Sequence, residues 1–235
     1  MDLSVRLQMN ADMVPRGCRL ADIGCDHGYV SIYLAENNLC DKILAMDVRE
    51  GPLAAARKNV KDAGLSDRVE CRLSDGLKGM EAGEADTLLI AGMGGMLVCR
   101  ILEQGPDVLA GIKTLILQPQ SDFREVREKI TLLGFVIEEE CCCNDDGKWY
   151  LAMRASRGEQ PQVIHTEEEY RYGWILQRKN DAVYYSYLMR EREKMRQVMK
   201  ALENARSTVR SGARILELQE SLDLLEASLS RFTME

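Results

Sequence analysis

The sequence predicts an α/β fold, a mostly parallel sheet with helices on both faces, followed by a separate helical domain. Three observations carry this. Between Arg19 and about Ala155, short apolar runs alternate with helical patterns, as right-handed strand–helix–strand crossovers require. The last two apolar runs are separated only by the turn signal NDDGK, so they read as an antiparallel hairpin. Beyond the stretch RASRGEQPQVIHTEEEY, apolar residues step by three and four towards the end of the chain. That spacing belongs to helices that bury a seam.

Taken in order, RLADIG is the first strand and leads through a glycine turn into the helix YVSIYLAENN. KILAMDV is the second strand, PLAAARKNVKDAG its helix, and VECRLSD the third strand. DTLLIAG and the helix GMLVCRILEQG follow, then TLILQPQ and the helix FREVREKITLLG. FVIEEEC and WYLAMRA form the hairpin, on which Trp149 and Tyr150 point to opposite faces, one into the core and one partly exposed. Residues 1–157 make up this domain and residues 158–235 the helical one. The latter opens on a Gly, Ser, Gln and Pro linker, with His165 as a surface residue, and then an acidic helix start. One seam runs through Met195, Val198, Leu202, Ala205 and Val209, the other through Ile215, Leu218, Leu222, Leu225, Leu229 and Phe232. RSTVRSGAR lies between them with Gly212 as the turn residue, so two long helices fold back on each other. The aromatic cluster Tyr170, Tyr172, Trp174, Tyr184, Tyr185 and Tyr187 is expected to pack the two domains together.

The composition is that of a soluble globular chain, 46% hydrophobic and 29% charged over 235 residues. No run approaches the roughly 18 apolar residues of a membrane span. The segment MDLSVRLQMNADMV lacks the basic head and apolar core of a signal peptide, so a cytoplasmic location is expected. None of the eight cysteines lies in a CxxC pair, so a metal site of the common zinc spacing is not expected. They read as small, mostly buried thiols in a reducing compartment. The net charge of −7 argues against a nucleic-acid partner, but its distribution reverses that argument. Residues 171–214 hold eleven Lys/Arg against four acids, so this span is +7 and the remainder −14. An acidic body thus carries a basic arm.

The turn DIGCDHG bears on chemistry. A strand ending in an acid, then a glycine turn and a helix, presents free backbone N–H groups at a helix N-terminus. A dinucleotide site needs GxGxxG so that a pyrophosphate can approach the backbone. Here the spacing is Gly24-x-x-x-Gly28 with Asp26 between them. A carboxylate repels a pyrophosphate and attracts an ammonium or sulfonium group, so the loop favours a zwitterionic, cationic cofactor over NAD. Asp47 ends the second strand, where an acid can accept from two ribose hydroxyls; capping a helix is the alternative. Asp75 and Gly76 follow the third strand, where an acid can accept from an adenine amino group; a plain turn is the alternative.

The segments DIGCDHGY, MDVREGPLAAARKNV, LSDGL, LLIAGMGG and LILQPQ, in that order, resemble the bacterial tRNA adenine-N1 methyltransferases of the TrmK type. The likeness runs from near Leu3 to Ala155, and the basic helical part resembles that family's extension. It implies a Rossmann-like class I methyltransferase sheet, S-adenosylmethionine as cofactor, and the adenosine at position 22 of tRNA as target. It places the cofactor against Asp22, Gly24, Cys25, Asp26, His27, Gly28, Asp47, Asp75, Gly76, Ala91 and Gly92. The target base would face the loop after the fourth strand, Ala91 to Met96. Such sequences often have Ser where this one has Cys25, and Asn where this one has the longer Gln120.

Exocyclic-amine methyltransferases commonly carry [DN]PP[YF] after the fourth strand, and this chain has AGMGG there, which disfavours an amine target. Ring N1 of adenine carries no proton, so attack on a sulfonium methyl needs alignment more than a base. Asp26, His27, Gly92, Met93 and Gly94 are the expected catalytic surface, Asp26 or an acceptor of the 91–96 loop stabilising the cationic product. For His27 the alternative is a loop residue that only caps backbone groups. Glycines 92, 94 and 95 would let a planar base approach the backbone. Arg6, Gly95, Gln118, Gln120, Arg190, Arg192, Lys194 and Arg196 are the expected substrate contacts. Arg6 could reach a phosphate or the cofactor carboxylate, or lie on a solvated helix face. The basic arm suits a phosphate-tracking surface. The competing functions are a catalytically silent RNA-binding scaffold and a small-molecule or protein methyltransferase. Oligomeric state is left open.

Overall fold

The computed structural model describes residues 2–158, 165–204 and 209–233. Most of the expected linker, residues 159–164, lies outside them, as do Ala205 and Arg206. The chain divides into two compact units, residues 1–163 and 164–235.

The first unit is a seven-stranded sheet of order β3-β2-β1-β4-β5-β7-β6. Its strands are β1 (Cys18–Ile23), β2 (Cys40–Asp47), β3 (Val69–Leu73), β4 (Thr87–Met93), β5 (Thr114–Pro119), β6 (Phe135–Asp145) and β7 (Lys148–Arg157). The first five run parallel, and β7 is antiparallel to both β5 and β6. All six residues of β5 are buried, as both-face coverage of a central strand requires, whereas the edge strand β6 alternates at its start. This is an open, Rossmann-like α/β sheet that ends in a C-terminal antiparallel hairpin.

Helices α1 (Val5–Asp12), α2 (Tyr29–Glu36) and α3 (Glu50–Asp62) pack side by side on one face. On the other, α4 (Gly95–Glu103) packs with α5 (Pro106–Ala110) and α6 (Phe123–Leu132). Neither α1 nor α5 is among the helices expected from the sequence. Ala11, within α1, and Met13 and Val14 just after it join the core. α6 is held to β6 by a fully buried ion pair: Arg127 Nε donates to Glu140 Oε1 at 2.9 Å, and Nη2 stands 2.8 Å from the same oxygen. Trp149 and Tyr150 are both half-buried, not one in and one out.

The second unit contains α7 (Glu167–Tyr172), α8 (Ile175–Arg178), α9 (Ala182–Asn204) and α10 (Val209–Leu229). α7 opens on a capping box: Glu169 N donates to Thr166 Oγ1 at 3.2 Å, and Thr166 N donates to Glu169 Oε2 at 3.0 Å. α9 and α10 pack along each other. The α10 seam is the expected one, with Leu218, Leu222, Leu225, Leu229 and Phe232 buried. Two expectations are corrected. Gly212 lies inside α10 and not at a turn; of the expected turn segment RSTVRSGAR, residues 206–208 lie outside the described residues. Val198 is exposed, because the α9 stripe runs Tyr184, Leu188, Met195, Met199, Leu202. The described ring contacts of the aromatic cluster are made within this unit: Tyr184 stacks on Tyr187, and Tyr185 and Tyr184 meet Phe232. His165 is covered, its ring stacked on Trp174 at 3.6 Å. Among the described residues no helix is long and apolar enough to cross a membrane.

Candidate active site

The carboxyl ends of β1, β2 and β4 meet at a crevice of about 560 Å³, lined by the loop after β1, Asp47, Ser74 to Gly76, Ala91 to Met93, Arg6 and Gln120. Ligands of open α/β sheets bind at this edge. Asp22 forms its floor. Burial pushes the Asp22 carboxyl up to about 6, against a 2.7 Å hydrogen bond donated by Ser31 Oγ, with the charge of Asp47 adding to the rise. Asp47 sits at the end of β2, nearly buried. Its Oδ2 accepts from Asp26 N at 3.3 Å and its Oδ1 from Arg49 N at 2.8 Å, which fixes the carboxylate and leaves each oxygen further acceptor capacity.

Asp26 has positive φ, +52°, which turns its carboxylate to the mouth of the crevice. There it lies 3.8 Å from Arg49 Nη2 and 3.9 Å from His27 Nε2. His27 stacks on Tyr29, 5.6 Å between ring centres, and its carbonyl accepts from Asn59 Nδ2. Cys25 lies against the crevice, and burial pushes its thiol well above the ordinary range, so it is an inert wall. Asp75 and Gly76 line the far end, but the Asp75 carboxylate is exposed and held by Lys78 at 2.5 Å. That contact holds its pKa below the usual range.

The three glycines after the fourth strand do different things. Gly92 has φ +76°, and a Cβ there would stand 3.3 Å from Arg6 Nη1, so its open side faces the crevice. Gly94 and Gly95 do not line it. A Cβ on Gly95 would collide with the Ser121 carbonyl and stand 2.9 Å from Asp122 Cβ and O. Gly95 N donates to Ser121 Oγ and Met96 N to Asp122 Oδ2, both at 3.3 Å, so this pair caps α4. The space expected for a base at Gly95 is therefore filled by the chain itself. Gly28 likewise faces Ala56 of α3, where a Cβ would stand 3.3 Å from Ala56 Cβ. β4 continues through Met93, so the expected 91–96 loop shrinks to Gly94.

Arg6 reaches the crevice from α1. Its Nη1 donates to Gln118 Oε1 at 3.3 Å, and its guanidinium lies 5.2 Å from the Tyr150 ring centre. Gln118 is fully buried in β5. Gln120 N donates to Met93 O at 2.8 Å. Sequence reasoning missed Arg49, Tyr29 and Ile101 as lining residues. Arg49 alone had a signal, two residues after a strand-ending acid. Among the described residues no group of three or more His, Cys, Asp or Glu is placed to hold a metal ion.

In the second unit, α9 carries Arg190, Arg192, Lys194 and Arg196. Arg192 and Arg196 both reach Glu226 of α10, at 3.5 and 2.7 Å, and Lys194 pairs with Glu191 at 2.5 Å. Residues 164–235 hold twelve Lys/Arg and twelve Asp/Glu, so the positive charge is local to the arm and not a property of the unit.

A mixed sheet of this strand order, with five parallel strands, an antiparallel hairpin and an acid-floored crevice in place of a diphosphate loop, defines a Rossmann-like, S-adenosylmethionine-dependent methyltransferase. The family model of tRNA (adenine(22)-N(1))-methyltransferases, TrmK, matches residues 20–226. The chain belongs to that family. It is 32% identical over 227 residues to the tRNA (adenine(22)-N(1))-methyltransferase of Bacillus subtilis, covering 95% of each chain. The crystal structure of the Bacillus subtilis TrmK methyltransferase superposes with a TM-score of 0.88 at 31% identity, over 97% of this chain and 99% of that one. A Streptococcus pneumoniae protein crystallised in complex with S-adenosyl-L-methionine gives a TM-score of 0.87 at 30% identity, over 97% and 100%.

Proposed function

We propose that this chain transfers the methyl group of S-adenosylmethionine to ring N1 of the adenosine at position 22 of tRNA, and that the acid-lined crevice of the first unit is where it does so. The observation that carries the reading is the convergence of Asp22, Asp26 and Asp47 on one crevice whose β1 loop lacks the diphosphate-binding glycines.

The bound cofactor supplies an activated methyl on a positively charged sulfur. Asp47, held by the Asp26 and Arg49 amides, presents acceptors to the ribose diol. Asp22 and Asp26 set a negative potential that suits the ammonium and sulfonium groups. Gly92 gives the target adenine access to the β4 backbone, beside Gln120 and Met93. No residue need remove a proton, because N1 attacks with a free lone pair. The methyl carbon leaves sulfur as it bonds to N1, and the positive charge passes to the base. Asp26 and the backbone carbonyls of residues 91–93 stabilise that charge. The base must leave the tRNA stack first, at a cost of a few kcal/mol. Arg190, Arg192, Lys194 and Arg196 contact tRNA phosphates, and the work takes place in the cytoplasm.

The test is methyl transfer from labelled S-adenosylmethionine to an unmodified bacterial tRNA transcript, followed by digestion to nucleosides. Label in 1-methyladenosine is expected. Label in N6-methyladenosine, or none in RNA, would contradict the reading.

A further inference from the structure

We propose that Cys18 and Cys40 are an oxidisable pair, which a peroxide converts into a disulfide that staples β1 to β2. The two residues lie at the opposite end of these strands from the crevice, so the pair stands apart from the reading of that site.

β1 and β2 are parallel neighbours, and Cys18 and Cys40, their first residues, are partners across the ladder. Neighbouring strands stand about 4.8 Å apart, inside the roughly 4.4–6.8 Å between Cα atoms that a disulfide spans. Both side chains belong to the hydrophobic core, and their Sγ atoms are 3.5 Å apart. Bond formation therefore asks for a closing movement of about 1.5 Å. The flanking backbone is already tied down. Gly17 N donates to Leu39 O at 2.8 Å, and Arg68 Nη2 donates to Cys40 O at 2.7 Å. The register shifts immediately after Cys18, so that Arg19 pairs with Lys42 and Asp41 is left over. A bulge of this kind takes up a small movement of the cysteines without disturbing the pairs from Leu20–Ile43 onward.

The two thiols also differ in the way the chemistry needs. A hydrogen bond from Cys40 holds the Cys18 thiol below its ordinary range against the opposing effect of burial, and the same bond, with burial, pushes Cys40 up. Burial raises Cys25, Cys71, Cys99 and Cys143. Cys18 is thus the thiol that supplies the attacking thiolate. With Cys18 6% and Cys40 2% exposed, the pair admits a small oxidant such as a peroxide and shuts out a bulky disulfide. The Cys18 thiolate attacks one peroxide oxygen, the O–O bond breaks, and the departing hydroxide takes up the Cys18 proton as water. Cys18 is left as a sulfenic acid. The Cys40 sulfur then attacks the Cys18 sulfur, the S–O bond breaks, and the second hydroxide leaves as water with the Cys40 proton. In sum the two thiols are oxidised to one disulfide and one peroxide is reduced to two waters.

The test treats the full chain with hydrogen peroxide, removes the excess with catalase, alkylates the remaining thiols in denaturant and maps the peptides by mass spectrometry. A linked Cys18–Cys40 peptide that a reductant splits is expected. The oxidised chain should melt about 5 °C or more above the reduced one, because the bond closes a loop in the unfolded state, and reductant should reverse the shift. Cys40→Ser, whose hydroxyl still donates to Cys18, should stop at the sulfenic acid, which dimedone labels at Cys18. Cys18→Ser should leave Cys40 unlabelled. Cys18 and Cys40 staying reduced while other cysteines oxidise would overturn the proposal, and that result needs only the unaltered chain. A linked chain that melts no higher than the reduced one, or equal dimedone labelling of Cys40 in Cys18→Ser, would overturn it as well.

Discussion

Ser31 Oγ donates a 2.7 Å hydrogen bond to Asp22 Oδ2, tying the first turns of α2 to the floor of the crevice. That bond offsets only part of what burial costs the Asp22 carboxylate, whose pKa stands at about 6 against an ordinary 3.8. The folded state therefore binds this proton more tightly than the unfolded one. The resulting stabilisation is full below about pH 4 and is lost as pH rises through 6. At neutral pH the ionised group weakens the fold, by an amount on the order of 3 kcal/mol. Asp22→Asn should melt higher than the unaltered chain at pH 8, with the gap narrowing at pH 5, while binding S-adenosylmethionine more weakly. Thermal melts at the two pH values check the first part and calorimetry the second.

Asp26 stands at the crevice mouth, shared between Arg49 and His27. In the proposed reaction its carboxylate meets the charge leaving the sulfur. Asp26→Ala should lower the single-turnover rate of methyl transfer about tenfold or more, with little change in melting temperature because the group is exposed. Single-turnover assays at saturating tRNA read this directly.

Gly92 and Gly95 should separate function from folding. A methyl at residue 95 collides with the Ser121 carbonyl, which is backbone and cannot swing aside. Gly95→Ala should cost about 1–3 kcal/mol of stability, measured by urea unfolding. A methyl at residue 92 meets the flexible end of Arg6 and Gln120, at a φ of +76°. Gly92→Ala should cost about 1 kcal/mol in strain but narrow the crevice, so the loss appears mainly in activity.

Glu226 draws Arg192 and Arg196 to α10. Glu226→Gln frees both and should tighten tRNA binding, with a steeper dependence on salt. Reversing the charges of Arg190, Arg192 and Arg196 together should weaken tRNA binding and flatten that dependence, by about one unit of slope for each phosphate no longer neutralised. Cofactor affinity should not move in either variant. Filter binding across a salt series distinguishes the two directions.

The middle of the sheet was legible because its central strands are buried on both faces and read as continuous apolar runs, as in TLILQP of β5. The acids at the strand ends were legible because carboxylates beside glycines stand out in such runs. What pattern could not supply was reach. Nothing in the sequence says that Arg6 of α1 meets Gln118, 112 positions away. The glycines of AGMGG look alike in one dimension, yet only Gly92 opens on the crevice, because Ser121 and Asp122 occupy the space at Gly95. The net charge of the basic arm likewise omitted its partner, since the acid that meets Arg192 and Arg196 lies on the next helix.

The central claim is that this crevice delivers a methyl group to ring N1 of one adenosine. N1-methylation removes the Watson–Crick face, so it halts primer extension at the modified base. With S-adenosylmethionine and a tRNA transcript bearing adenosine at position 22, the account predicts a new stop one nucleotide before that position, absent when guanosine replaces the adenosine. Full-length extension on the adenosine transcript, or an unchanged stop on the guanosine transcript, would contradict it.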